Sequence, residues 1–299
     1  MTAWRLPRRG LGVSEMSKGI RLAWLTLTVI GLLAFPYLVL LGPNFGYDAH
    51  AYWSLDGANP YTRMTALEEP NAFLYSPPIA LLMTPFQLLP WPAFLVAWTA
   101  LLFLAVGWLG YWRWGLALVA FAPVAMEIHY GNINLLLAVA IAASFRWPAL
   151  WAVVLLTKPT AAVVGLLYPL VRGEWRAVAV PVGLAAAACA VIALVRPDLW
   201  SGYFAMLNDA VGIPLIIPLA WRLPLAAVLV IWGARTNRRW TVPVGAAIAL
   251  PQSWWTNFVL LTAIPRSMDT PIETLLARLA RRIGRLRGQE PEAATEVTR

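Results

Sequence analysis

Cysteine is all but missing from this 299-residue chain. Cys189 stands alone in an Ala-rich apolar run, which excludes an internal disulfide framework and any Cys-based metal cluster and leaves it the reading of a small buried helix residue. Histidine is nearly as scarce: His50 and His129 are too few for a His-rich metal centre, and neither a metal nor a cofactor is expected. Lysine is reduced to Lys18 and Lys158, the remaining basic residues being Arg, a bias that with the high Ala content hints at a GC-rich bacterial genome. Charge as a whole is sparse at 12%. The net charge of +9 does not point to nucleic acid, because the basic residues lie between apolar segments and in the two tails rather than along one soluble face. No P-loop, dinucleotide fingerprint, zinc motif or Ser-His-Asp arrangement is present.

What the chain has in abundance is apolar sequence. Hydrophobic residues make up 60%, and 17 Trp accompany them, the composition of an integral membrane protein. The run Ile20 to Leu41 is long enough to cross about 30 Å of hydrocarbon and longer than the apolar part of a signal peptide, so it reads as a retained span. Basic residues ahead of it place the N-terminus in the cytoplasm, and continued counting places the C-terminus there too. The expected fold is an all-α polytopic bundle with about ten apolar segments, several half-length or re-entrant, in a bacterial plasma membrane. Residues 1–19 form a basic tail, 20–265 the transmembrane domain with a long first outer loop and juxtamembrane helix at 43–92, and 266–299 a cytoplasmic tail. In that tail Thr270-Pro271-Ile272-Glu273 has capping-box spacing, and 271–287 reads as an amphipathic basic helix on the anionic leaflet or on a partner protein.

Ionisable groups are concentrated in the loop Pro43 to Pro78, which holds Asp48, His50, Asp56, Arg63, Glu68 and Glu69. Asp48 is a candidate general base that would be ionised at its ordinary pKa, or else a carboxylate that orders the loop. Lys158, in the middle of the apolar run Trp147 to Val171 and followed by a helix-breaking Pro159, is costly to place in a membrane. It reads as a charge for a lipid-carrier phosphate, or as a snorkelling side chain. The patch Glu127, His129, Tyr130, Gly131, Asn132, Asn134 suits a polar ligand equally with a wet turn between helices.

Several motifs in order resemble glycosyltransferase family 87, within the GT-C membrane glycosyltransferases. They are YDAHAYW with Asp48, NPY at Asn59 to Tyr61, FLYSPPIALLMTPFQLLP from Phe73 to Pro90, GNIN at Gly131 to Asn134, TKP at Thr157 to Pro159, RGEWR at Arg172 to Arg176 and PQSW at Pro251 to Trp254. The resemblance implies a GT-C type bundle with an extracytoplasmic site. There Asp48 deprotonates an acceptor hydroxyl that attacks, with inversion, the anomeric carbon of a polyprenyl-phosphate sugar, most simply mannose. Donor and acceptor contacts are expected from Lys158, His50, Arg63, Tyr75, His129, Asn132, Asn134, Trp254 and Asn257. The partners implied are the lipid-linked donor, a lipid or glycan acceptor and membrane lipids. Two departures are expected from the resemblance: Thr256 and Asn257 occupy positions where the family commonly has histidines, and the family's late spans are expected to be missing. They point to a divergent substrate, a partner subunit or lost activity, and they motivate the rival reading of a non-catalytic or transport-associated subunit.

Overall fold

The computed structural model describes residues 18–36, 44–55, 59–61, 73–209, 217–251, 255–268, 270 and 272–286, and among these every regular element is a helix. In order they are α1 (Lys18–Pro36), α2 (Tyr47–Trp53), α3 (Pro77–Met83), α4 (Trp91–Leu109), α5 (Gly115–Val119), α6 (Ala122–Tyr130), α7 (Asn134–Ser144) and α8 (Trp151–Thr157). They continue with α9 (Pro159–Val171), α10 (Trp175–Val195), α11 (Pro197–Asp209), α12 (Leu219–Arg235), α13 (Thr241–Ile248), α14 (Ile264–Ser267) and α15 (Ile272–Leu286), with a 3₁₀ segment Trp255–Ala263 before α14.

Proline and turn residues set most of these boundaries. Pro92 and Pro159 sit in the first turns of α4 and α9, where a missing N–H costs nothing. Pro159 also stops α8, since the residue before a proline is pushed out of helical geometry; Lys158 has φ −134° and ψ 73°. Gly131 ends α6 in the left-handed region at φ 70°, and the chain then turns by 118° into α7.

These breaks overturn the expected bundle of about ten apolar segments. Among the described residues, only α4 and α10 are long and apolar enough to cross a membrane, and the bent pair α6 and α7 makes at most a third. The described part of the Ile20 to Leu41 run, α1, is not among them. The short α8 and the longer α9, at 7 and 13 residues, rise only about 10–20 Å at 1.5 Å per residue, well under a bilayer core. An apolar run measures sequence, whereas a span requires an unbroken helix. The many-pass plasma-membrane arrangement falls with the segment count, and so does the assignment of each loop to one side.

The core lies where the broken pairs meet: α7 and α6 pack on the 3₁₀ segment, α9 on α12 and α13, and α4 on α7. Phe94, Leu102, Leu135, Leu137, Ile141, Leu250 and Leu260 are fully buried there. By contrast α10 turns Val180, Leu184, Val191, Leu194 and Val195 outward, an apolar face suited to hydrocarbon.

The C-terminal helix is tied down. Glu273 is buried and accepts from Trp114 Nε1 at 2.9 Å, with Arg113 Nη1 at 3.1 Å, while Ile272 and Leu276 join Ile20 and Trp24 around Trp114. The reciprocal capping box does not form: Thr270 N–H donates instead to Pro265 O at 3.1 Å, and Glu273 is drawn toward Arg113. Past the first turns, Leu279 and Ile283 are exposed beside Arg278, Arg281 and Arg282.

Candidate active site

The site is assembled at helix breaks. Short α2 carries Asp48 and Tyr52 four residues apart, hence on one face, whereas His50, two residues from Asp48, is rotated by about 200° to the other. His50 accordingly packs its ring on Trp91 and Trp53, with centroids at 4.8 and 5.5 Å.

Across from α2 stands the α6–α7 bend. Gly131 is required twice: its φ is left-handed, and a Cβ there would lie 2.6 Å from Ala49 Cβ. The bend is pinned by Gly46 N–H to His129 O at 2.7 Å and Trp98 Nε1 to Gly131 O at 2.7 Å. So held, Asn132 Nδ2 donates to Asp48 Oδ2 at 2.7 Å, Asn134 N–H donates to Asn132 Oδ1 at 3.3 Å, and Asn134 Nδ2 donates to Glu127 Oε1 at 3.0 Å. One polar chain therefore runs from Asp48 through both asparagines to Glu127.

The α8–α9 break supplies the cation. Lys158 interacts electrostatically with both Asp48 and Glu127, and its Nζ lies 5.6 Å from the centre of the Tyr75 ring. Tyr75 is fixed in turn, its hydroxyl 3.1 Å from that of Tyr52 and its carbonyl accepting from Tyr61 OH at 2.9 Å. Ser76 Oγ donates to Leu156 O at 2.6 Å, satisfying a carbonyl at the end of α8.

Asp48 is half-buried rather than freely exposed, and its acidity follows. Burial pushes its pKa up to about 6, against the opposing pull of the Asn132 hydrogen bond and the Lys158 charge. The carboxylate is thus ionised only above about pH 6, unlike the solvated aspartate expected from sequence.

Of the residues expected from sequence, Asp48, Tyr75, Asn132, Asn134 and Lys158 converge. His50 and His129 take other roles in the geometry: the His129 ring is buried against Phe45 and Tyr130, at 5.9 and 5.0 Å. Asn257 is buried in the 3₁₀ segment that packs on α6 and α7. Arg63 and Trp254 lie outside the described residues. Two members were missed. Tyr52 had a signal in its i,i+4 spacing from Asp48, and Glu127 was read only within a polar patch, although a carboxylate inside an apolar helix is itself a functional signal. Among the described residues no three His, Cys, Asp or Glu side chains group to hold a metal ion.

Helix breaks that gather a carboxylate, two amides and an ammonium define a helical protein with a carboxylate-centred polar site. Residues 73–270, more than half of the chain, match the model of glycosyltransferase family 87, so the chain belongs to that family and its general function is that of a glycosyltransferase. No curated protein and no solved structure matches the chain. Asp48 precedes the matched range, but its hydrogen-bond partner Asn132 lies within it.

Proposed function

We propose that this protein transfers a hexose, with mannose the first candidate, from a polyprenyl phosphate to a lipid or glycan acceptor by a single inverting displacement. The observation that carries this reading is the Asp48–Asn132 hydrogen bond with Lys158 facing the same carboxylate. Asn132 holds Asp48 Oδ2, leaving Oδ1 for the acceptor hydroxyl. As the acceptor oxygen bonds to the anomeric carbon, its proton passes to Asp48 and the carbon–oxygen bond to phosphate breaks. The electron pair leaves on the phosphate, and the Lys158 ammonium, pre-positioned under Tyr75, offsets the charge that develops there. Asn257 supplies a neutral amide where the family commonly has an imidazole.

Purified protein incubated with radiolabelled polyprenyl-phosphate mannose and a membrane-lipid extract tests this directly. Wild type is expected to yield a labelled glycolipid, and Asp48→Asn to lose about 10²–10⁴-fold in rate, the ordinary contribution of a general base. Equal turnover by the two proteins would remove Asp48 from the mechanism.

A further inference from the structure

Two acceptor atoms at the inner end of the polar chain have no donor. Glu127 Oε1 takes the Asn134 amide, yet Glu127 Oε2 and Asn134 Oδ1 are fully shielded and accept nothing among the described residues. Both residues are 1% exposed. An unmet buried acceptor is costly, more so when charged, and native interiors leave few of them. Two on side chains already joined by a hydrogen bond mark a place where partners are still required.

The surrounding chemistry narrows what arrives. Asn132 Nδ2 donates to Asp48 and makes no bond to either oxygen. Two neighbouring oxygens, one on a carboxyl and one on an amide, match a pair of adjacent hydroxyls, as on two neighbouring carbons of a pyranose ring, since a hydroxyl can bond either. Asp48 and Lys158, each in electrostatic range of Glu127, place that pair beside the reacting groups.

We propose that Glu127 and Asn134 form the subsite that reads two adjacent hydroxyls of the transferred sugar. This rests on the glycosyl-transfer reading above and specifies how it selects its sugar. A site built to bond a hydroxyl rejects the analogue lacking it far more strongly than an apolar pocket rejects a methylene.

The test uses the full chain in detergent with polyprenyl-phosphate mannose and its four singly deoxygenated analogues at carbons 2, 3, 4 and 6. In wild type, kcat/KM is expected to fall at least ~100-fold for two analogues at adjacent carbons and only a few-fold for the others. In Glu127→Gln, those two penalties are expected to shrink to under ~5-fold while the others stay as they were. A uniform loss across all donors would overturn the subsite, because a purely structural role moves every substrate alike. Asn134→Ala carries the same expectation should Glu127→Gln lose its melting transition.

Saturation-transfer NMR with methyl α-mannopyranoside separates this proposal from the choice of carrier lipid. Contacts at two adjacent ring carbons in wild type, lost in Glu127→Gln, support the subsite even if no polyprenyl donor turns over. Contacts unchanged in Glu127→Gln, or no sugar contact at all, would overturn it while leaving turnover by Asp48 untouched.

Discussion

Asp48 shows how little of a residue's chemistry resides in its type. In water it would titrate near 3.9, but half-burial in the site moves it to about 6. A general base works only when ionised, so transfer is expected to fall as pH drops through about 6 and to level off above it; a rate profile from pH 4.5 to 8 checks this. Asn132→Ala removes an interaction that lowers the Asp48 pKa, so the acidic limb of that profile is expected to move to higher pH. Lys158→Ala is expected to move it the same way, and additionally to raise KM for the phosphate-bearing donor. Tyr52 and Glu127 are the residues whose importance comes from placement: Tyr52 sits within YDAHAYW and Glu127 just ahead of GNIN, yet only packing shows that one fixes Tyr75 and the other ends the chain of hydrogen bonds from Asp48.

At the scale of elements, two devices position the site. The first is the left-handed turn at Gly131, which aims the end of α6 and the start of α7 at α2. Gly131→Ala meets both the left-handed φ and the Ala49 contact, and is expected to destabilise the fold by about 1–3 kcal/mol, read as a lowered melting temperature. The second is Arg222, buried in the first turn of α12, where it donates to the carbonyls of Ile217, Ile248, Leu250 and Pro251. It clamps the end of α13 and the chain leading to the Pro-Gln-Ser-Trp motif. Arg222→Ala strands several buried carbonyls, and a loss of about 3 kcal/mol in chemical denaturation is expected. Its burial is visible only in the packing of α12 against α13.

Across the whole molecule, charge is polarised. Asp48, Glu127 and Lys158 cluster where α6 and α8 end and α7 and α9 begin. At the far ends of those helices Arg172 bonds Asn237, and Arg239 lies over the Phe145 ring. Arg113 at the α4–α5 turn is paired with Glu273 of α15, so the last described helix is locked onto the first half of the chain. Glu273→Gln weakens that lock, and faster hydrogen exchange is expected in α15 and in the Trp114 region with the site unaffected.

The sequence alone determined the helical class, the rarity of charge and therefore the conspicuousness of Asp48 and Lys158, and the ordered motifs of the family, GNIN with Asn132 and Asn134 among them. These are local properties, legible because an ionisable group in an apolar chain is costly wherever it ends up. Tertiary structure decided which of them meet. Asp48 and Asn132 are 84 residues apart, and only the turn at Gly131 joins them. It also decided how many helices are long enough to cross a membrane, because hydropathy sums over a run of residues and does not register where a proline or a reversed φ interrupts the helix. The unmet oxygens of Glu127 and Asn134 belong to this second category: an acceptor is orphaned by its surroundings, and only packing supplies them.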